Sequence, residues 1–131
     1  MRTQYITTDL ELESPNDLTS IVQEFEDDVL VHFCGAVGDR HAASFGLFHE
    51  GSVASDINFY CNLIENLSES SRMLWDSCTR IDFNIGYEAG DEPKSWRSPI
   101  STEVLERITK NRGDIVITIY PHGIYSSVDT I

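Results

Sequence analysis

The fold is decided by a strand in the C-terminal part of the chain, Arg80-Ile81-Asp82-Phe83-Asn84-Ile85-Gly86-Tyr87, and by the helix and strand that follow it. Apolar and polar residues alternate along this stretch, and a period of two predicts a strand with one buried face. Ser101 then supplies an N-cap for a helix that ends at Gly113. A second alternating strand follows, with isoleucine at 115, 117 and 119. This region predicts a sheet covered by helices.

The N-terminal part adds further strands and helices to this sheet. Residues 4–13 alternate and predict a first strand, after which Ser14 and Pro15 have the residue types of an N-cap and a first helical position. Strands are predicted at 29–34 and 41–50, and helices at 52–67 and 70–78. The predicted core face of the sheet carries Ile6, Leu10, Val29, Val31, Phe45, Leu47, Phe83, Ile85, Ile115 and Ile117.

The resulting order, β-α-β-β-α-(α)-β-α-β, predicts one α+β domain over residues 1–131. Its first six major elements match a ferredoxin-like β-α-β-β-α-β core, with an added helix and strand. Each helix is expected to pack on the same sheet face. No internal repeat, low-complexity segment or linker interrupts the pattern, and the tail after His122 is expected to be partly ordered at best.

The composition restricts the classes of partner. The chain has 22 acidic and 9 basic residues, a net charge of −13. Such a charge disfavours binding to nucleic acids and anionic membranes, and it is compatible either with a basic protein partner or with simple solubility. Three widely spaced cysteines predict no disulfide framework. The first residues lack the apolar segment of a signal peptide, so a cytoplasmic location is expected.

The polar face of the sheet is the first candidate for a binding surface. Alternation assigns to it Tyr5, Thr7, Asp9, His32, Cys34, Ser44, Asp82, Asn84, Thr118 and Tyr120. Two interpretations compete: a solvated face or homodimer contact, and a platform that holds a ligand or a partner. The loop from Lys94 to Ser98 is the second candidate, because it places Trp96 and Arg97 side by side. The predicted binding residues are therefore Tyr5, His32, Cys34, Asp82, Asn84, Trp96, Arg97 and Tyr120.

Catalytic and metal-binding motifs are absent from the sequence. No pair of cysteines or histidines has the spacing of a local zinc site, and no Gly-x-Ser-x-Gly nucleophile motif occurs. His32 and Cys34 are two residues apart on a strand, but no third group joins them into a catalytic set. The sequence therefore predicts no catalytic residue, no metal and no cofactor.

The C-terminal half resembles a known bacterial family, the "domain of unknown function 4279". The resemblance rests on Leu74-Trp75-Asp76, Arg80 to Gly86, Ile100 to Leu105, and Ile115 to Pro121. Thr118 departs from the acid expected at its position. The resemblance implies an α+β fold and a bacterial cytosolic setting, and it implies no activity.

Taken together, these features predict a non-enzymatic binding or interaction protein. One specific form is an immunity-type protein whose acidic surface blocks a basic toxin. This form rests on analogy, because some small acidic α/β proteins are similar in kind to toxin-neutralising immunity proteins. The alternative is a small-molecule-binding protein or enzyme that uses His32, Cys34 and Asp82 on the sheet. A homodimer formed through the open sheet face is a third prediction.

Overall fold

The computed structural model describes residues 1–92 and 95–122. The five strands are β1 (Gln4–Ser14), β2 (Leu30–Val37), β3 (Arg40–Gly46), β4 (Arg80–Glu88) and β5 (Asp114–Tyr120). The four helices are α1 (Thr19–Phe25), α2 (Val53–Glu65), α3 (Glu69–Asp76) and α4 (Thr102–Lys110). The predicted α+β class is thus confirmed. Lys94 of the predicted binding loop and the tail after His122 lie outside the described residues.

The strands form one mixed sheet in the order β2-β3-β1-β4-β5. All neighbouring pairs are antiparallel except β4 and β5, which are parallel and joined through α4. Leu10 lies opposite Phe45 on one side and Phe83 on the other, so these three side chains share a face. The ring of Phe25 from α1 packs on Phe45 and that of Tyr60 from α2 packs on Phe83, which places both helices on this face.

Serine caps define the start of three helices, and the cap at Ser101 is the one that the sequence predicts. Ser52, Ser68 and Ser101 each accept a hydrogen bond from a backbone N–H in the first turn of α2, α3 and α4. The predicted start of α1 is wrong, because Ser14 is the buried last residue of β1 and not an N-cap. The helix begins only at Thr19, whose N–H donates to Asp17.

Two β-bulges alter the predicted faces of the sheet. The register of β1 shifts between Tyr5 and Thr7, so Tyr5 pairs with Tyr87 on the helix-covered face, opposite to the prediction. Ile6, predicted to face the core, instead lines the open face. In β2 the register shifts after Val31, and Cys34 comes opposite the buried Ala43.

The isoleucines of β5 are exposed, contrary to the predicted core assignment of Ile115 and Ile117. They share the face of their partners in β4, because Ile115 pairs with Phe83 and Ile117 with Ile85. However, α4 packs beside α2, and the isoleucine side chains of β5 stay partly exposed. The exposed fractions of Ile115, Ile117 and Ile119 are 36%, 57% and 64%.

Within the described residues, no helix is long and apolar enough to cross a membrane.

Candidate functional site

The open face of the sheet carries a groove of about 580 Å³ at the end where β1 begins and β3, β4 and β5 finish. This volume is within the range of small-molecule and side-chain binding sites. The groove is lined by three carboxylates, two histidines, two amides and three aromatic residues: Asp9, Glu50, Glu88, His32, His49, Gln4, Asn84, Tyr5, Phe48 and Tyr120. Among its described lining residues there is no lysine or arginine.

One side of the groove is a histidine–aspartate contact made possible by a glycine. His32 lies at the bulge of β2, and its Nε2 is 3.9 Å from Oδ1 of Asp9. A Cβ atom on Gly46 would lie 2.3 Å from that Nε2, so only glycine leaves room for the imidazole in this position. Burial raises the pKa of the Asp9 carboxyl, while His32 acts in the opposite direction.

The other side holds a second histidine beside a fully buried carboxylate. Nε2 of His49 is 3.7 Å from Oδ1 of Asp56, whose side chain has almost no exposed surface. The hydroxyl of Tyr5 donates to Oδ2 of Asp56 and lies 2.7 Å from Oγ1 of Thr8. Oδ1 of Asp56 accepts no hydrogen bond within the described part of the chain. Burial raises the pKa of Asp56, and burial together with Asp56 raises the pKa of Tyr5.

Beyond the groove, the open face is an ion-pair network centred on Arg80. Its guanidinium contacts Asp82 at 2.6 Å, Glu13 at 2.6 Å and Glu11 at 3.0 Å. Asn84, which also lines the groove, donates to Glu11. Asp82 is therefore neutralised by Arg80 and is not among the groove-lining residues.

The residues proposed for the alternative enzymatic site are not brought together. Cys34 follows the bulge and lies on the helix-covered side of β2, whereas His32 lies beside Asp9 on the open face. Burial raises the pKa of Cys61 and raises that of Cys78 to about 11, so both thiols are protonated at neutral pH. Among residues 1–92 and 95–122, no three His, Cys, Asp or Glu side chains are grouped to hold a metal ion.

The predicted aromatic loop belongs to a different surface. Trp96 packs edge-on against Tyr87, with 5.0 Å between ring centroids, and the Tyr87 hydroxyl shares a 2.7 Å hydrogen bond with Ser98. Tyr87 is buried on the helix-covered face, and Trp96 is not among the residues that line the groove. Arg97 is exposed beside it. Of the eight predicted binding residues, the structure brings Tyr5, His32, Asn84 and Tyr120 together around the groove.

Comparison of the chain with family models, with curated proteins and with solved structures found no match. The site is therefore interpreted from its own geometry.

Sequence reasoning missed the segment from Phe48 to Gly51 and the buried Asp56. The segment was hidden because the third strand was predicted to run to residue 50, whereas β3 ends at Gly46 and a loop follows. Asp56 did leave a signal: it lies four residues before Tyr60 and eight before Ile64, in the buried stripe of α2. An acid at a stripe position indicates a buried carboxylate that needs a partner.

Proposed function

We propose that this protein is a non-enzymatic binding protein whose groove receives a lysine or arginine side chain of a basic protein partner. The observation that carries the proposal is the lining of the groove, which combines carboxylates such as Asp9 and Glu50 with aromatic rings and, among the described residues, contains no lysine or arginine. A site of this composition suits a ligand that has a positive head and an apolar stem.

The geometry supports a role for each class of lining residue. Asp9 and Glu50 are placed to attract the cationic head. Phe48 is 65% exposed at the rim, where its ring offers a surface for the methylene stem of a lysine or the plane of a guanidinium. The chain's net charge of −13 accelerates the encounter with a basic protein and orients it, and this long-range effect weakens with salt.

Binding is favoured over catalysis because, in the described part of the chain, no cysteine is brought beside a histidine that could activate it. The two buried thiols are held protonated, and Cys34 lies on the other side of β2 from His32. An immunity-type protein that masks a basic toxin is one form of this proposal. A bacterial cytosolic setting and the "domain of unknown function 4279" resemblance belong to the same proposal.

We also infer a ferredoxin-like core within the sheet. Strands β2, β3, β1 and β4 are consecutive neighbours and antiparallel, with α1 and α2 on one face, which supports this interpretation. The order of the whole sheet differs from that of a four-stranded unit because β5 extends it beyond β4.

A peptide titration followed by two-dimensional ¹H–¹⁵N NMR tests the proposal. The probe is a hexa-arginine peptide, and a Gly-Ser peptide of the same length controls for uncharged contacts. We expect the largest amide shift changes at the groove, around Thr7, Gly46 and His49. The double variant D9N/E50Q should bind the probe about 3- to 10-fold more weakly, as expected for two partly exposed charge contacts.

The matched control is D27N/E106Q, which removes two exposed carboxylates that do not line the groove. Both double variants change the net charge from −13 to −11, so a purely long-range attraction weakens equally in both. We expect less than a twofold loss for the control. Equal losses in the two variants, or shift changes spread over the whole surface, would reject the groove as the binding site.

A further inference from the structure

The outer edge of β5 is a second surface with a defined chemistry. β5 is the last strand of the sheet, and no strand in the described part of the chain pairs with its outer edge. Backbone N–H and C=O groups at such an edge can form hydrogen bonds with a further strand. The three exposed isoleucines at 115, 117 and 119 form an apolar row along the same strand.

The two edges of the sheet differ in how they resist strand pairing. The opposite edge, β2, is distorted by the bulge after Val31, and such a bulge blocks regular pairing. In contrast, β5 keeps an unbroken register with β4 over all seven residues. Between Asp114 and Tyr120 there is no proline, lysine or glycine. The strand itself thus carries neither a bulge nor a proline, lysine or glycine that would hinder pairing at its edge.

We propose that β5 pairs with β5 of a second copy of this chain, antiparallel and centred on Ile117. In this register, Ile117 lies opposite its own copy, Ile115 lies opposite Ile119, and Val116 lies opposite Thr118. Every isoleucine meets an isoleucine, so the row of three becomes a row of six on one face. A twofold axis requires this kind of self-complementary surface, and the pairing produces a continuous ten-stranded sheet.

Charge also favours this edge over other surfaces of a chain with a net charge of −13. Asp114 is the one charged residue between positions 114 and 120, and it would lie opposite Tyr120. The two Asp114 side chains would be six residues apart, about 20 Å at ~3.3 Å per residue. That separation exceeds the Debye length of about 8 Å at physiological salt, so the like charges repel little.

Sedimentation equilibrium of the full chain, combined with matched variants, tests the proposal. We expect a mass approaching twice 14.8 kDa at 200 µM, with a dissociation constant of about 10–100 µM for so small an interface. I117K places two lysines opposite each other at the centre and should weaken the dimer at least 10-fold. V37K is the control, because Val37 lies on the β2 edge and is 56% exposed against 57% for Ile117.

Cysteine crosslinking tests the register. In a C34S background, which removes the exposed native thiol, I117C should form a disulfide-linked dimer when oxidised with copper phenanthroline. D114C should not, because its two copies are too far apart. A monomer at 200 µM would overturn the proposal and indicate that another segment, such as residues 123–131, competes for this edge. A dimer that survives I117K would also overturn it.

Discussion

At the scale of single residues, Asp56 is the most informative side chain of the site. It has no exposed surface, one oxygen accepts the Tyr5 hydroxyl, and the other accepts no hydrogen bond within the described residues. Burial raises its pKa more than Tyr5 and His49 lower it. The folded protein therefore holds the charged form of this carboxyl at a cost in stability.

Replacing Asp56 by asparagine should stabilise the protein at neutral pH. The pKa of Asp56 is higher in the folded state than in the unfolded state. The carboxyl therefore contributes to stability at a pH below its unfolded-state pKa, and this contribution is lost as the pH rises through the folded-state pKa. Asparagine keeps an acceptor for the Tyr5 hydroxyl, and because it carries no charge, its burial does not require the desolvation of a carboxylate. We expect D56N to raise the free energy of unfolding at pH 7 by about 1 kcal/mol, measured by urea denaturation.

The pH dependence of the stability difference between D56N and wild type tests whether the desolvation of Asp56 is its cause. The advantage of D56N should shrink as the pH falls toward about 4, where the wild-type carboxyl is also protonated. D27N serves as the control, since Asp27 is exposed and its replacement should change stability by less than about 0.5 kcal/mol. A D56N protein that is less stable than wild type at pH 7 would mean that the contact with His49 outweighs the desolvation of Asp56.

At the scale of secondary-structure elements, Arg80 connects β4 with β1. Three carboxylates surround its guanidinium, and the hydrogen bonds that Arg80 donates to Asp82 and Glu13 raise its pKa above the ordinary value. R80M should lower the free energy of unfolding by about 1–2 kcal/mol, because Glu11 and Asp82 then lose their cation and Glu13 keeps only the contact with Arg40 at 3.5 Å. Thermal and urea unfolding monitored by circular dichroism measure this change.

R72M is the matched control for Arg80. Arg72 pairs with Asp76 at 3.8 Å within α3, an exposed pair at i,i+4 spacing. Pairs of this type contribute about 0.3–0.5 kcal/mol. If both variants lose the same amount, the network on the open face adds nothing to separate surface pairs.

The elements themselves were predictable where local chemistry determines them. Ser101 predicted the start of α4, because an N-cap acts within one turn. The alternation around Phe83 predicted β4 for the same reason, since side-chain direction along a strand follows a period of two. Ser14 was misassigned because a buried strand end and an N-cap use the same residue type.

The faces of the site could not be predicted, because they depend on bulges. A bulge shifts the alternation by one residue, so every assignment beyond it is reversed. No glycine or proline marks the bulge at Ile6 or the one at His32, and both arise from pairing with distant strands. Alternation therefore placed Asp9 and Asn84 correctly and placed Tyr5 and Cys34 on the wrong face.

At the scale of the whole molecule, the distribution of charge connects stability with function. The 22 acidic residues exceed the 9 basic ones, so the folded chain brings mutually repelling carboxylates together. Arg80 offsets this repulsion on the open face, whereas Asp9 and Glu50 have no lysine or arginine beside them among the described groove-lining residues. The groove is thus a part of this face where a basic partner would relieve repulsion.

Salt should stabilise the free protein. Raising NaCl from 20 to 300 mM shortens the Debye length from above 10 Å to below it, which screens repulsion across the molecule more than the contacts of Arg80 at 2.6–3.0 Å. We expect the melting temperature to rise by about 3–6 °C, the shift that corresponds to about 1 kcal/mol for a domain of this size. The control D27N/E106Q, with a net charge of −11, should show a smaller rise. A melting temperature that falls with NaCl would mean that the ion pairs outweigh the repulsion, and the groove would then have no excess charge for a basic partner to neutralise.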